Sequence, residues 1–157
     1  MNHLLEIPGR LPGLNEYTDA NRRSPYEGAK LKVHAQDQIL LAIRKQLKGV
    51  RITQPVWLEY HWVEPNRKRD KDNISFAAKY VQDTLVKAGV LHNDGWHNVI
   101  GATHKYAVSK EYPRVVVLIK ELSPAEAKKI EEEMQNESYQ LGRQSRPQRR
   151  TEGHQQR

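Results

Sequence analysis

Three aspartates and the cations around them are the residues of this chain best suited to chemistry. Asp70 and Asp72 lie in Lys68-Arg69-Asp70-Lys71-Asp72-Asn73, and Asp94 lies in Asn93-Asp94-Gly95-Trp96. Adjacent carboxylates repel, and one takes up a proton unless a cation neutralises them. A hard divalent metal does this. Mg²⁺ takes octahedral oxygen ligands, keeps waters, and often uses one or a few protein carboxylates beside substrate phosphate oxygens. At the end of an extended segment, residues i and i+2 point the same way, so Asp70 and Asp72 are expected to face one site. Asp94, in a Gly-flanked turn, is the candidate third ligand. Arg67, Lys68, Arg69 and Lys71 beside the pair suit a polyanion reaching a metal, as phosphate contacts. The plain alternative is a surface loop of salt-bridged charges. Together the spacing points to metal-dependent cleavage of nucleic acid.

Other side chains carry two readings each. Lys79 and Asp83 are i and i+4 on a helix. Counted from Asp72, Lys79 is seven residues on, about two turns, which returns it to nearly the same azimuth. It is either a contact to the scissile phosphate or half of a solvated ion pair with Asp83, which otherwise positions the helix. Arg22 and Arg23 are either phosphate contacts or solvated loop charges. His92 and His97 flank Asp94 as candidate general bases or loop contacts, and no metal-ligand spacing joins the histidines. Trp96 either stacks on a base or anchors its loop to the core, with the anchor favoured. Trp57 and Trp62 are assigned to the core or a dimer interface.

These residues need a scaffold, and 157 residues suit one domain with a real core. A net charge of +7 makes nucleic acid the first partner to consider. With no cysteine, disulfide frameworks and thiolate zinc sites are excluded. No signal-peptide core and no apolar run of about 20 residues is found, so a cytoplasmic protein without membrane attachment is expected.

Leu4 to Ile7 reads as a first strand. Pro8 to Gly13 is turn chemistry, and the loop is expected to continue through Asn15 and Asn21. Ser24-Pro25-Tyr26-Glu27 looks like a capping box opening a helix, with Ile39, Leu40, Ile43 and Leu47 at helical spacing and Gly49 ending it. Val56 to Val63 alternates as a strand, with Val56, Leu58, Tyr60 and Trp62 on one face. One helix is expected from about Asn73 to Ala88, stopped by Gly89. Strands follow over 99–108 and 114–120. Ser123-Pro124-Ala125-Glu126 opens a charged helix. From Gly142 the chain is expected to be disordered, with Arg143, Arg146, Arg149 and Arg150 free to brush phosphates.

The order of these pieces resembles the RusA family of phage and prophage Holliday junction resolvases. The resemblance is carried by Arg69-Asp70-Lys71-Asp72-Asn73, then Lys79-Tyr80-Val81-Gln82-Asp83-Thr84-Leu85, then Ala88-Gly89 and Asn93-Asp94. Leu14-Asn15-Glu16-Tyr17 is similar to the family's Asn-containing loop. The resemblance covers roughly residues 1–120. It implies an α/β (α+β) fold, a small mixed β-sheet with two main helices on it. The nuclease domain it implies spans 1–121; the charged helix over 122–141 and the basic tail over 142–157 lie outside the resemblance and are read from composition. The resemblance also implies a homodimer that holds Mg²⁺, or Mn²⁺, on Asp70, Asp72 and Asp94 with help from Lys79. Asn15, Arg22, Arg23, Arg67, Lys68, Arg69 and Lys71 would bind DNA. The expected partner is a branched four-way DNA junction in the cytoplasm of a bacterial host, with no organic cofactor. Paired nicks would leave 5′-phosphate and 3′-hydroxyl ends.

Two departures stand out. The family's lysine usually follows the second Asp by four residues, whereas Lys79 follows Asp72 by seven. Asn93 stands where the first acid of the family's acidic pair would be. A rival expectation is therefore a non-catalytic junction-binding protein that keeps the fold. A second is a ribonuclease or a less selective DNA nuclease with the same site.

Overall fold

Alternation along the expected central strand is realised as β2 (Val56–Glu64), with Val56, Leu58, Tyr60 and Trp62 all buried on one face. A computed structural model describes residues 1–145 and 147. The remaining elements are β1 (Asn2–Pro8), α1 (Leu14–Arg23), α2 (Pro25–Gln46), α3 (Lys71–Ser75), α4 (Ala78–Lys87), β3 (Val99–Val108), β4 (Arg114–Glu121) and α5 (Pro124–Gln144). The strands form one mixed sheet in the order β1-β4-β2-β3. β4 is antiparallel to both β1 and β2, and β2 is parallel to β3. This is the expected α/β class, a four-stranded sheet with helices packed on it.

The register explains the core. Tyr60 pairs with Val117 on one side and His104 on the other, and Leu5 pairs with Val117 from β1. These rows meet Ile39 and Ile43 of α2 and Val81 and Leu85 of α4 in one apolar cluster. The opposite face of the sheet carries Leu4, Glu59, Lys105 and Lys120. There Glu59 accepts from His61 at 3.0 Å and pairs with Lys105 at 3.2 Å. Those two hydrogen-bonded partners, His61 first, hold its carboxyl down at about 2.

Four expectations are corrected: the loop through Asn15 and Asn21, the single helix over 73–88, the full capping box at Ser24 and disorder from Gly142. The loop read through Asn15 and Asn21 is instead α1. Its N-cap is Gly13, which offers no side-chain cap, so the helix depends on tertiary contacts. Tyr17 packs its ring on Phe76, and Asn21 fills the space above Gly28. The helix expected over 73–88 is two helices. Ala77 and Lys79 donate to carbonyls three residues back rather than four, which tightens the chain between α3 and α4. Gly89 ends α4 as expected, with a φ of +76° that favours glycine. Ser123 and Glu126 form the reciprocal capping box of α5, whereas at Ser24 only the side-chain bond to Glu27 forms. α5 runs through Gly142 and Arg143; Arg146, Arg149 and Arg150 lie outside the described residues. Among the described residues no helix is long and apolar enough to cross a membrane.

Tyr60, Trp62 and His104 stack with nearly parallel rings. Trp62 Nε1 donates to His104 Nδ1 at 3.0 Å, which requires a lone pair on that nitrogen. Burial against the stack holds the imidazole below its ordinary pKa. The folded state therefore resists a proton that the unfolded chain accepts. The resulting stability is fully present above the ordinary histidine value of about 6.5 and is lost as pH falls from there through the lower folded-state value. Urea midpoints measured from pH 8 to pH 5 should fall more steeply for the parent than for His104→Gln, which keeps an acceptor but cannot titrate. Tyr80 supplies a second check. Its hydroxyl is buried without a hydrogen-bond partner among the described residues, and burial pushes its pKa up to about 12. Tyr80→Phe removes that orphan and should leave stability unchanged or raise it by up to about 1 kcal/mol in thermal or urea unfolding.

Candidate active site

The end of β2 delivers the chain to a cavity of about 630 Å³. Its wall is Glu64 from β2, Arg67 and Arg69 from the following loop, Asp70, Lys71 and Asp72 at the start of α3, and Tyr106 to Val108 at the end of β3. Asp70 is the N-cap residue of α3 and Asp72 lies in its first turn. The two carboxylates thus share one cavity, though the backbone carrying them is a helix start rather than the extended segment expected. Both residues are exposed. Among the described residues neither carboxylate enters an ion pair or a side-chain hydrogen bond.

The cations divide into free and engaged. Arg67 and Lys71 are exposed on the cavity wall, and Lys71 Nζ sits 5.4 Å from the centre of the Tyr106 ring. Lys68 is exposed next to them but does not line the cavity. Arg69 is engaged. Its Nε donates to Glu64 Oε1 at 2.8 Å and its Nη2 to Glu64 Oε2 at 3.0 Å. Its Nη1 donates to the Leu11 carbonyl at 3.1 Å and to Glu16 Oε1 at 3.2 Å. Sequence reasoning grouped Arg69 with the phosphate contacts and passed over Glu64. A carboxylate at the end of an otherwise apolar strand face, five residues before an arginine, was the available signal.

Asn73 fixes the other side of the pair. It is buried, and its Oδ1 accepts from the backbone N–H of Asn15 at 2.9 Å. Asn15 thus touches the site through its main chain, not its side chain. Gly13 makes this approach possible. A Cβ there would stand 2.4 Å from Asn73 Oδ1 and 2.7 Å from the Asn73 carbonyl oxygen.

The structure does not bring Asp94 to this cavity. β2 and β3 run parallel with Val56 opposite Val99 and Glu64 opposite Val108. The Asp70–Asp72 cavity sits at the carboxyl ends of these strands. Asp94 precedes β3, in a turn where Gly95 accepts from the N–H groups of Asn98 and Val99, so it lies at the amino end. The length of β3 from Val99 to Ala107, roughly 26 Å at the usual rise, separates the two. Asp94 instead borders a second depression with Lys32, Gln36, Asp83 and Lys87. Among the described residues no three acidic or histidine side chains form a metal-holding group.

Lys79 also stays outside the cavity. The azimuth expected from a continuous helix does not survive the tightened turn at Phe76 and Ala77. Its Nζ lies 3.7 Å from Asp83 Oδ2, an i,i+4 pair in which Lys79 is exposed and Asp83 is half-buried and shared with Lys32. Arg22 and Arg23 are exposed in the last turn of α1 and line neither depression. Trp96 is 90% exposed, so the expected anchoring of its loop to the core is overturned. Trp62 is buried in the core, while Trp57 lies across Gly101 on the open sheet face.

Asp70 and Asp72 fit Mg²⁺ as a two-carboxylate site. They are exposed, unpaired and on one cavity wall, and this ion commonly takes one or two carboxylates together with waters and phosphate oxygens. Compared with known proteins, the chain matches no protein-family model and no curated sequence. Gly13→Ala should disturb the site from behind. Overpacking against Asn73 is expected to destabilise the fold by about 1–3 kcal/mol, read as a lower urea midpoint.

Proposed function

We propose that this chain is a metal-dependent phosphodiester hydrolase acting on nucleic acid, with branched DNA as its preferred substrate. One observation carries the proposal. Two carboxylates, Asp70 and Asp72, and two cations, Arg67 and Lys71, line one cavity and form no salt bridge among the described residues. Carboxylates left unpaired within reach of available cations are poised for something other than each other. The resemblance to the RusA family supports the junction as substrate and a dimer as the working form.

In this reading Asp70 and Asp72 hold Mg²⁺. The bound ion supplies a more acidic water and offsets charge on the phosphate. Arg67 and Lys71 seat the backbone phosphate by its non-bridging oxygens, and exposed Lys68 steers the approaching strand. Water attacks phosphorus, the bond to the 3′-oxygen breaks, and that oxygen takes a proton. The products are a 5′-phosphate and a 3′-hydroxyl. No recognition helix is identified among the described residues, so in this reading selectivity for a junction falls to backbone contacts and the arrangement of two copies.

Asp94 of the same chain has no part in this site. Asp94→Asn separates two forms of the proposal. Cutting at the parental rate leaves a two-carboxylate site, whereas loss of cutting requires Asp94 of a second copy to reach the cavity. The rival reading, a junction binder without catalysis, draws on the same placement of Asp94 and on the pairing of Lys79 with Asp83. A labelled synthetic four-way junction incubated with Mg²⁺ or with EDTA decides between them. Cutting only with Mg²⁺ is expected; a shifted but uncut junction under both conditions favours the binder. Linear duplex and RNA competitors measure selectivity. Asp70→Asn and Asp72→Asn should each reduce cutting by a factor of about 10² or more while junction binding is kept or tightened, because charge that repels phosphate is removed. Parental cutting rates in either variant would refute the assignment of the site.

A further inference from the structure

We propose that Arg69 is a positioning residue. With Glu64 and Glu16 it forms a clasp that sets the segment carrying Asp70 and Asp72, and it does not receive the phosphate. The proposal rests on the reading of Asp70 and Asp72 as the hydrolytic pair.

The geometry of the guanidinium is the first ground. Both Glu64 oxygens are taken by the Nε and Nη2 edge at 2.8 and 3.0 Å, the fork-to-fork arrangement available to arginine and not to lysine. Nη1 is spent on Leu11 and Glu16. Four of the five N–H donors of the group are thereby placed. The second ground is burial. The Arg69 side chain is 12% accessible and that of Glu64 is 9%. Turning Arg69 toward a phosphate would abandon Glu64 as a buried carboxylate without a cation, a state far costlier than keeping the pair. Arg67 and Lys71 carry no such obligation.

Position in the chain is the third ground. Glu64 is the last residue of β2, and Arg69 immediately precedes Asp70. Their pairing closes the loop Pro65-Asn66-Arg67-Lys68 at its base, where Lys68 N–H also donates to Asn66 Oδ1 at 3.0 Å. On the far side of the aspartates, Asn73 is tied to Asn15. The two acids are therefore bracketed. Arg69 before them and Asn73 after them both fasten to the stretch between Leu11 and Glu16. A buried ion pair contributes little net stability, but it fixes one geometry. Here that geometry is the direction in which two repelling carboxylates face.

The test separates affinity from turnover. Junction binding is measured in EDTA over a series of salt concentrations, and single-turnover cutting in Mg²⁺, at a temperature where circular dichroism shows each variant folded. Arg69→Lys, Arg69→Ala and Glu64→Gln are each expected to slow cutting at least tenfold. Their Kd for the junction should stay within about twofold of the parent, with an unchanged salt slope. The exchange Glu64→Arg with Arg69→Glu restores the pair in reverse. It should cut faster than either single change, which loss of a phosphate contact cannot produce. If Arg69 instead reads phosphate, Arg69→Ala weakens binding and lowers the salt slope by about one, Arg69→Lys recovers most of it, and Glu64→Gln leaves cutting intact. That pattern overturns the proposal while the hydrolytic reading stands. A parent that binds the junction but never cuts defeats the hydrolytic reading, and this clasp, as a device for catalysis, goes with it. In that case the salt slope of Arg69→Ala still shows whether the guanidinium touches phosphate.

Discussion

The parallel pairing of β2 with β3 governs where chemistry is possible in this molecule. A parallel neighbour cannot be reached by a tight hairpin; the chain must travel back along the sheet before β3 begins. Here α3 and α4 make that return. Everything just after β2 therefore collects at one end of the sheet, together with everything at the end of β3. Everything just before β3 collects at the other. In open α/β sheets the carboxyl ends of strands are the usual place for ligands, and the cavity holding Asp70, Asp72 and Tyr106 lies there. The same constraint sends Asp94 away. No rotamer change or local loop shift offsets the length of a strand.

Much of this was legible from residue order. β2 was readable because its apolar residues recur every second position. α2 and α5 were readable because Ser24 and Ser123 cap them with proline in the first turn. The pairing of Asp70 with Asp72 in one place was also readable, though for a partly mistaken reason, since a helix start carries them. What sequence could not reveal depends on contacts far apart in the chain. α1 lacks a capping side chain and is held by Tyr17 against Phe76. The turn at Phe76 and Ala77 is tightened where no Gly or Pro in the sequence gave warning. Strand direction was the costliest omission. Whether β3 runs parallel or antiparallel to β2 is invisible in the strand itself, yet it decides whether Asp94 can meet the other aspartates.

Charge pairing sorts the many ionisable groups into two kinds. On the open face of the sheet, Glu59 is surrounded by His61, Lys105 and Lys120, and its low pKa reports that the partners favour its charged form. Arg114 and Glu6 pair in the same manner at the β1–β4 edge. Such groups are spent on one another. The chain is strongly basic overall, but its cations are not equally available, and net charge alone would overstate how much of the surface can meet a polyanion.

Availability is therefore the better guide to function than composition. Around the cavity, among the described residues, Arg67, Lys71, Asp70 and Asp72 form no salt bridge, whereas Arg69 and Glu64 pair with each other. The engaged pair is the more buried, so among the described residues the cavity has a paired back and an exposed, unpaired front. This ordering suits the proposed site, in which two like charges line one cavity. Unpaired carboxylates repel and would splay apart on a mobile loop. Held between Arg69 and Asn73, each of which fastens to the stretch from Leu11 to Glu16, they cannot. In the proposed reading a bound cation, rather than movement of the chain, would relieve that repulsion.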